Sequence, residues 1–234
     1  MPLKTFINYS PNFDQKKRLR KNIRFIIIHY TGMESEKAAM NRLTNIQSKV
    51  SSHYFITKNG NITLLVPELY IAWHAGRSKW KSQSLMNKHS IGIEITNPGH
   101  RFGYKKFTYK QISSTLVLIR HLVNKYKISK KNILGHSDIA PDRKKDPGEK
   151  FPWEYLAKKK LSIWHNIRQQ ELKNLRKKKC NKIEKYKFSK NLIKIGYLGK
   201  NLGKVTKAFQ RRFRPQMVDG QIDQECLKIS KKLI

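Results

Sequence analysis

Phe25-Ile26-Ile27-Ile28 constrains the fold more than any other stretch of the chain. Four apolar residues in a row, mostly β-branched, offer no polar face, so the run reads as a strand covered on both sides. Such strands belong to parallel or mixed sheets with helices on each face. The strand spans 23–31 and closes on His29-Tyr30-Thr31, and open α/β sheets place their chemistry at the C-terminal ends of strands. A second apolar run, Asn132-Ile133-Leu134, leads into a polar loop from Gly135 to Gly148 that holds His136, Asp138, Asp142, Arg143, Lys144, Lys145 and Asp146. Pro141 and Pro147 keep this loop from becoming helix, and Asp146-Pro147-Gly148 ends it as a turn.

The remaining segments fit the same architecture. Glu34 to Thr44 predicts a short helix with Ala39, Met40 and Leu43 as its apolar stripe and Ser35 as N-cap. Asn59-Gly60 lies between the β-favouring runs 52–57 and 62–66, the strongest short-range hairpin signal. Ser90 to Thr96 is another buried strand. Tyr109 to Lys127 is the longest helix, with Ile112, Leu116, Ile119, Val123 and Tyr126 on one face. The expected class is α/β, a mixed central β-sheet flanked by helices.

Residues 158–194 hold 14 Lys or Arg against Glu171 and Glu184, which reads as a trailing helix passing into a charged linker. Beyond it three short helices follow. Phe188, Leu192 and Ile195 share the first face, Leu202, Val205, Phe209 and Phe213 the second, and Asp223 caps a third that carries Cys226, Ile229 and Leu233. The expected division is 1–165, a basic helix and linker at 166–187, and a small three-helix domain at 188–234.

His29, His136 and Asp146 would make a two-His, one-carboxylate set with a fourth position left for water, the pattern of catalytic rather than structural zinc. Taken singly, each His also reads as a satisfied structural or surface histidine. Glu94 stands alone among apolar residues in Ile91-Gly92-Ile93-Glu94-Ile95. Buried there it would have a raised pKa; facing solvent it is an ordinary strand residue.

A resemblance distinguishes these readings. Ile28-His29-Tyr30-Thr31, Ser51-Ser52-His53-Tyr54, Ala72-Trp73-His74-Ala75-Gly76 and Ser90-Ile91-Gly92-Ile93-Glu94-Ile95 come first. Gly135-His136-Ser137-Asp138-Ile139-Ala140-Pro141, Arg143-Lys144-Lys145-Asp146-Pro147-Gly148 and Phe151-Pro152-Trp153 follow. In this order they resemble the zinc-dependent N-acetylmuramoyl-L-alanine amidases of the peptidoglycan-recognition (type 2 amidase) fold, AmiD- and AmpD-like, over roughly residues 8–165. Ile195-Gly196-Tyr197, the stretch 205–215 and 219–223 resemble the peptidoglycan-binding module that follows the amidase domain in the AmiD-like enzymes.

The resemblance implies hydrolysis of the amide between N-acetylmuramic acid and L-alanine in peptidoglycan or anhydro-muropeptides, for wall turnover or recycling. It implies one Zn2+ per chain on His29, His136 and Asp146, with Glu94 as the acid/base. Lys144, two residues before Asp146, matches the position whose ammonium faces the developing oxyanion, and Arg143 ranks behind it. Tyr54 and His74 are further candidates to line the cleft. His53 and His89 read as structural or exposed, and Trp73 and Trp153 as packing aromatics. The rivals are a non-catalytic peptidoglycan-recognition protein, a class marked by loss of a zinc ligand, and a basic nucleic-acid-binding protein.

The second rival arises from charge. With 51 Lys+Arg against 15 Asp+Glu the net charge is +36 and the pI near 10.3, which suits nucleic acid, an anionic lipid surface or an anionic cell wall, or simply many solvated lysines. Nucleic acid would leave the two histidines, Asp146 and Glu94 unused, so the expected partner is peptidoglycan or a muropeptide, bound by a monomer. No stretch approaches the 18 or so apolar residues of a spanning helix. Met1 to Pro11 lacks an apolar leader and cleavage site, which points to the cytoplasm, whereas the resemblance points to the envelope. Cys180 and Cys226 are too few and too far apart for a metal knuckle or disulfide framework.

Overall fold

A computed structural model of the chain describes residues 4–234; Met1, Pro2 and Leu3, where the segment read for a leader begins, lie outside the described residues. The strands are β1 (Phe6–Ile7), β2 (Phe13–Asp14), β3 (Phe25–Tyr30), β4 (Tyr54–Ile56), β5 (Ile62–Leu64), β6 (Ile71–Ala72), β7 (Lys79–Trp80), β8 (Gln83–Ser84), β9 (Ser90–Ile95) and β10 (Ile133–Gly135). The helices are α1 (Glu36–Thr44), α2 (Tyr109–Tyr126), α3 (His136–Ile139), α4 (Trp153–Lys158), α5 (Gln169–Leu175), α6 (Lys182–Ile195), α7 (Leu202–Phe213) and α8 (Gln224–Lys232). Among the described residues the main sheet has six strands in the order β1-β5-β4-β9-β3-β10. β4, β9, β3 and β10 run parallel, and β5 opposes β4, so the sheet is mixed and flanked by helices as expected.

Local chemistry explains the element ends. Ser35 accepts from the Ala38 N–H at the start of α1, and Thr108 with Gln111 forms a reciprocal capping box on α2. β4 and β5 form the hairpin around Asn59-Gly60. Gly60 has φ +84, and a Cβ there would come within 2.8 Å of the Lys110 carbonyl, so this turn needs glycine.

Side chains alternate across β3, and each face has its own cover. Ile26 and Ile28 join Ile91, Ile93 and Ile95 of β9 and Ile112, Leu116 and Ile119 of α2 in one hydrophobic cluster. Phe25 and Ile27 join Leu134 of β10 and Phe188, Leu192, Phe209 and Phe213 of the C-terminal helices in another. The three helices expected after residue 188 therefore pack directly onto the sheet. The basic segment 166–187 contains α5 and is fastened to them: Leu172 is buried, and Arg176 donates twice to Glu225 at 2.7 Å.

Tyr54 does not line the cleft. It pairs with Ile93, one residue off the Phe55–Glu94 pair, so alternation turns its ring to the α2 face, away from Glu94. Its hydroxyl donates to Glu68 Oε1 at 2.6 Å. Lys125 Nζ reaches Glu68 Oε2 at 2.6 Å, and the Tyr126 hydroxyl donates to the same oxygen. Burial works to raise the Glu68 pKa, but the donors from Lys125, Tyr126 and Tyr54 prevail and hold it below the ordinary value. A depressed folded-state pKa adds stability above the unfolded value, and that stability is lost as pH falls through the folded value. Glu68→Gln should therefore lower stability by about 1–3 kcal/mol at pH 7. The gap to the native chain should close as pH falls below about 4, the unfolded range for Glu, as urea titrations at the two pH values would show.

Candidate active site

The register of the two central strands assembles the site. His29 on β3 pairs with Glu94 on β9, so both side chains project to the same face at the C-terminal end of the sheet. β10 pairs with β3 on the other side and delivers His136 just beyond its end. The loop then returns Asp146, whose backbone carbonyl accepts the Ser137 N–H at 2.8 Å. His29 Nδ1, His136 Nδ1 and Asp146 Oδ2 converge, each 2.9 to 3.0 Å from the other two, and all three residues are buried.

The hydrogen bonds around the rings determine which nitrogens carry protons. Ser90 Oγ donates to the Met86 carbonyl at 2.6 Å, so it accepts from His74 Nε2 at 3.2 Å. His74 Nδ1 is then a bare acceptor for the Nε2–H of His29 at 3.0 Å, which leaves His29 Nδ1 unprotonated. His136 Nε2 donates to the Ala75 carbonyl at 3.1 Å, which leaves its Nδ1 unprotonated too. Two ring lone pairs and a carboxylate thus face one another with no proton between them. That arrangement is repulsive by itself and fits a cation.

Protonation favours the same state. Burial first, and the neighbouring His136 second, push the His29 pKa down to about 4. Burial, then His29 and His53, holds His74 well below the usual imidazole value. Burial works against the Asp146 carboxylate, but positive charge and donated protons from the His136 and His29 side would hold its pKa far below the carboxylate range. With both Nδ1 atoms bare, that charge is left for a cation to supply.

Glu94 Oε1 lies 4.0 Å from His29 Nδ1, and its side chain is 13% exposed. Glu94 Oε2 is buried with no protein partner. Burial, then the Asp146 charge, raises the Glu94 pKa well above the ordinary value, while Lys144 pulls it back. Lys144 is half-buried and lines the same cleft. Arg143 also borders the cleft, but its guanidinium is engaged with the carbonyls of Ala75 and Arg77 and so clamps the loop. His53 is a structural residue: it is fully buried, and its Nδ1 accepts the Gly92 N–H at 3.0 Å.

The cleft measures about 850 Å³ and is also lined by Tyr30, Arg42, His100, Arg101, Phe102 and Lys145. Tyr30 and His100 escaped sequence reading. The Tyr30 hydroxyl meets His100 Nδ1 at 2.9 Å, and His100 Nε2 meets Glu149 at 3.2 Å. Their one available signal was position, since both stand at or just past the C-terminal ends of the strands that carry His29 and Glu94.

The sequence profile of N-acetylmuramoyl-L-alanine amidases matches residues 19–149, which include all of these groups. The chain belongs to that family, and it is an amidase. Its relatives include N-acetylmuramoyl-L-alanine amidase AmiD of Escherichia coli, 32% identical over 230 residues, 91% of this chain and 82% of that protein. The 1,6-anhydro-N-acetylmuramyl-L-alanine amidase AmpD of Haemophilus influenzae is 33% identical over 167 residues, 63% of this chain and 88% of that protein. Among solved structures, E. coli AmiD in complex with anhydro-N-acetylmuramic acid-L-Ala-D-gamma-Glu-L-Lys superimposes with a TM-score of 0.79 over 94% of this chain and 91% of that one. AmpDh3 of Pseudomonas aeruginosa with anhydromuramic pentapeptide is 28% identical, with a TM-score of 0.78 over 94% of this chain and 92% of that one.

Gly92 is what lets His74 lie against β9: a Cβ there would stand 2.5 Å from His74 Cγ. Gly92→Ala in this amidase should lower stability by about 1–3 kcal/mol, the usual cost of overpacking. His74→Ala empties the contested space, so the double variant should be more stable than the two separate losses predict. A double-mutant cycle by chemical denaturation measures that coupling.

Proposed function

We propose that this chain hydrolyses the amide between N-acetylmuramic acid and L-alanine in anhydro-muropeptides, using zinc held by His29, His136 and Asp146. The substrate class follows from the two liganded neighbours, which bind anhydromuramyl peptides. The observation that carries the metal is the convergence of two bare imidazole nitrogens and a carboxylate oxygen within 3.0 Å of each other. When bound, zinc on such a set polarises the amide carbonyl and makes a water acidic enough to attack near neutral pH.

The protein groups divide the remaining work. Glu94 accepts the proton of the attacking water and delivers it to the departing nitrogen of L-alanine. Its buried, unpartnered Oε2 is free for that exchange, and its raised pKa suits the return of the proton. Lys144 sets a positive charge at the cleft wall, where negative charge develops on the carbonyl oxygen. His74 and Ser90 keep the His29 lone pair turned inward.

Removal of metal by a chelator should abolish release of peptide from a soluble anhydro-muropeptide, and added Zn2+ should restore it. His136→Ala should lose both bound zinc and turnover; full turnover in a chelated, metal-free preparation would refute the metal assignment. Glu94→Gln keeps the shape but cannot exchange the proton, so kcat should fall by about 10²–10⁴ with zinc still bound. Metal analysis beside steady-state kinetics distinguishes this from loss of a ligand.

A further inference from the structure

A buried carboxylate closes the turn by which His136 leaves β10. Asp138 Oδ2 accepts the Gly135 N–H at 2.7 Å, closing the single turn of α3 on which His136 stands. That carboxylate is held from α7 and from the connection between α6 and α7. Arg212 of α7 donates to Oδ2 at 2.5 Å, and Tyr197 donates to Oδ1 at 2.6 Å. Arg212 also donates to the Ile133 carbonyl of β10 at 3.0 Å and lies over the Trp153 ring, 4.4 Å from its centroid.

The same loop is gripped further along. Asp142 accepts the backbone N–H groups of Lys200 and Asn201 at 2.9 and 3.2 Å, and Lys204 Nζ donates to its carbonyl at 3.0 Å. Residues 197–212 thus hold the loop that carries His136, Lys144 and Asp146, and neither Tyr197 nor Arg212 lines the cleft. Asp138 and Arg212 are 1% and 2% exposed. A fully desolvated ion pair adds little net stability over an apolar pair, because desolvation offsets the attraction. What this one supplies is a fixed geometry beside a ligand.

We propose that Tyr197 and Arg212 are positioning residues for His136. Through Asp138 they hold its Nδ1 on the point shared with His29 and Asp146, which makes the C-terminal helices a working part of the catalytic apparatus. The inference rests on the metal reading given under the proposed function.

Three full-length variants separate positioning from general stability: Tyr197→Phe, Arg212→Lys and, as control, Ile229→Ala. Ile229 is fully buried in the same core but on α8, outside the ties just described. The readouts are zinc affinity by chelator competition, amide hydrogen exchange of residues 135–149 in the zinc-free chain, and kcat and KM on a soluble anhydro-muropeptide. Tyr197→Phe and Arg212→Lys should weaken zinc binding about tenfold or more, the usual scale for groups behind a ligand. They should also speed exchange at the Gly135 turn and lower kcat more than they raise KM. Ile229→Ala should lower Tm and do none of these. If Arg212→Lys fails to fold, Tyr197→Phe, which loses only a hydroxyl, decides the matter.

Native zinc affinity and native loop exchange in Tyr197→Phe and Arg212→Lys would overturn the proposal, as would losses in all three variants in step with Tm. A native chain that takes up no zinc, but whose loop exchange still separates the variants, would refute the metal reading and leave the positioning role supported.

Discussion

The pairing of β3 with β9 places His29 directly across from Glu94, and the chemistry depends on that register. A slip of one residue would turn Glu94 into the apolar face under α2 and bring Ile93 or Ile95 to the cleft. What holds the register is burial. Ile26, Ile27 and Ile28 of β3 and Ile91, Ile93 and Ile95 of β9 have no exposed surface, and each such side chain contributes about 1.5–3 kcal/mol when fully buried. The apolar body of the sheet thereby keeps two imidazoles and two carboxylates together where water would otherwise separate them. Gly92 belongs to the same arrangement, because the smallest side chain on β9 opens the space in which His74 reaches His29.

Polar order extends outward from the site in hydrogen-bonded lines rather than as a general field. One line runs from His29 through His74 and Ser90 to the Met86 carbonyl. Another runs from the Gly135 turn through Asp138 to Tyr197 and Arg212. Each line fixes a proton or an angle that the residue at its inner end could not fix alone. Charge elsewhere acts less specifically. Arg42, Arg101, Lys144 and Lys145 border the cleft against Glu94 and Asp146, which gives its wall an excess of positive charge.

Much of this was legible in the sequence where the signal was local. The apolar run at 25–28, Asn59-Gly60, Ser35 and Asp223 announced a covered strand, a hairpin and two caps, because each is decided within a few residues. His29 and His136 were visible at or near strand ends for the same reason, whereas only the family resemblance singled out Glu94. Tyr54 was misplaced because its neighbours fix that it alternates but not which face it takes; that depends on a partner strand 39 positions away, as the His53–Gly92 contact beside it shows. Tyr30 and His100 had only their position after a strand to mark them. The Asp138–Arg212 pair spans 74 residues, and such a pairing leaves no periodicity for a reader of one chain to detect. The basic stretch before α6 looked like a linker because lysines dominate it, whereas a few residues such as Leu172 and Arg176 decide its place.

The double burial of β3 has a consequence for how the molecule comes apart. One backbone supplies alternate side chains to two hydrophobic clusters, so neither face can lose its cover without exposing part of the central strand. Partial unfolding that frees the C-terminal helices would uncover Phe25, Ile27 and Leu134 at once, which makes such half-open states scarce. A protease would therefore seldom meet a cleavable intermediate. A nick at the exposed Lys177, Lys178 and Lys179 would leave the C-terminal helices packed against the sheet.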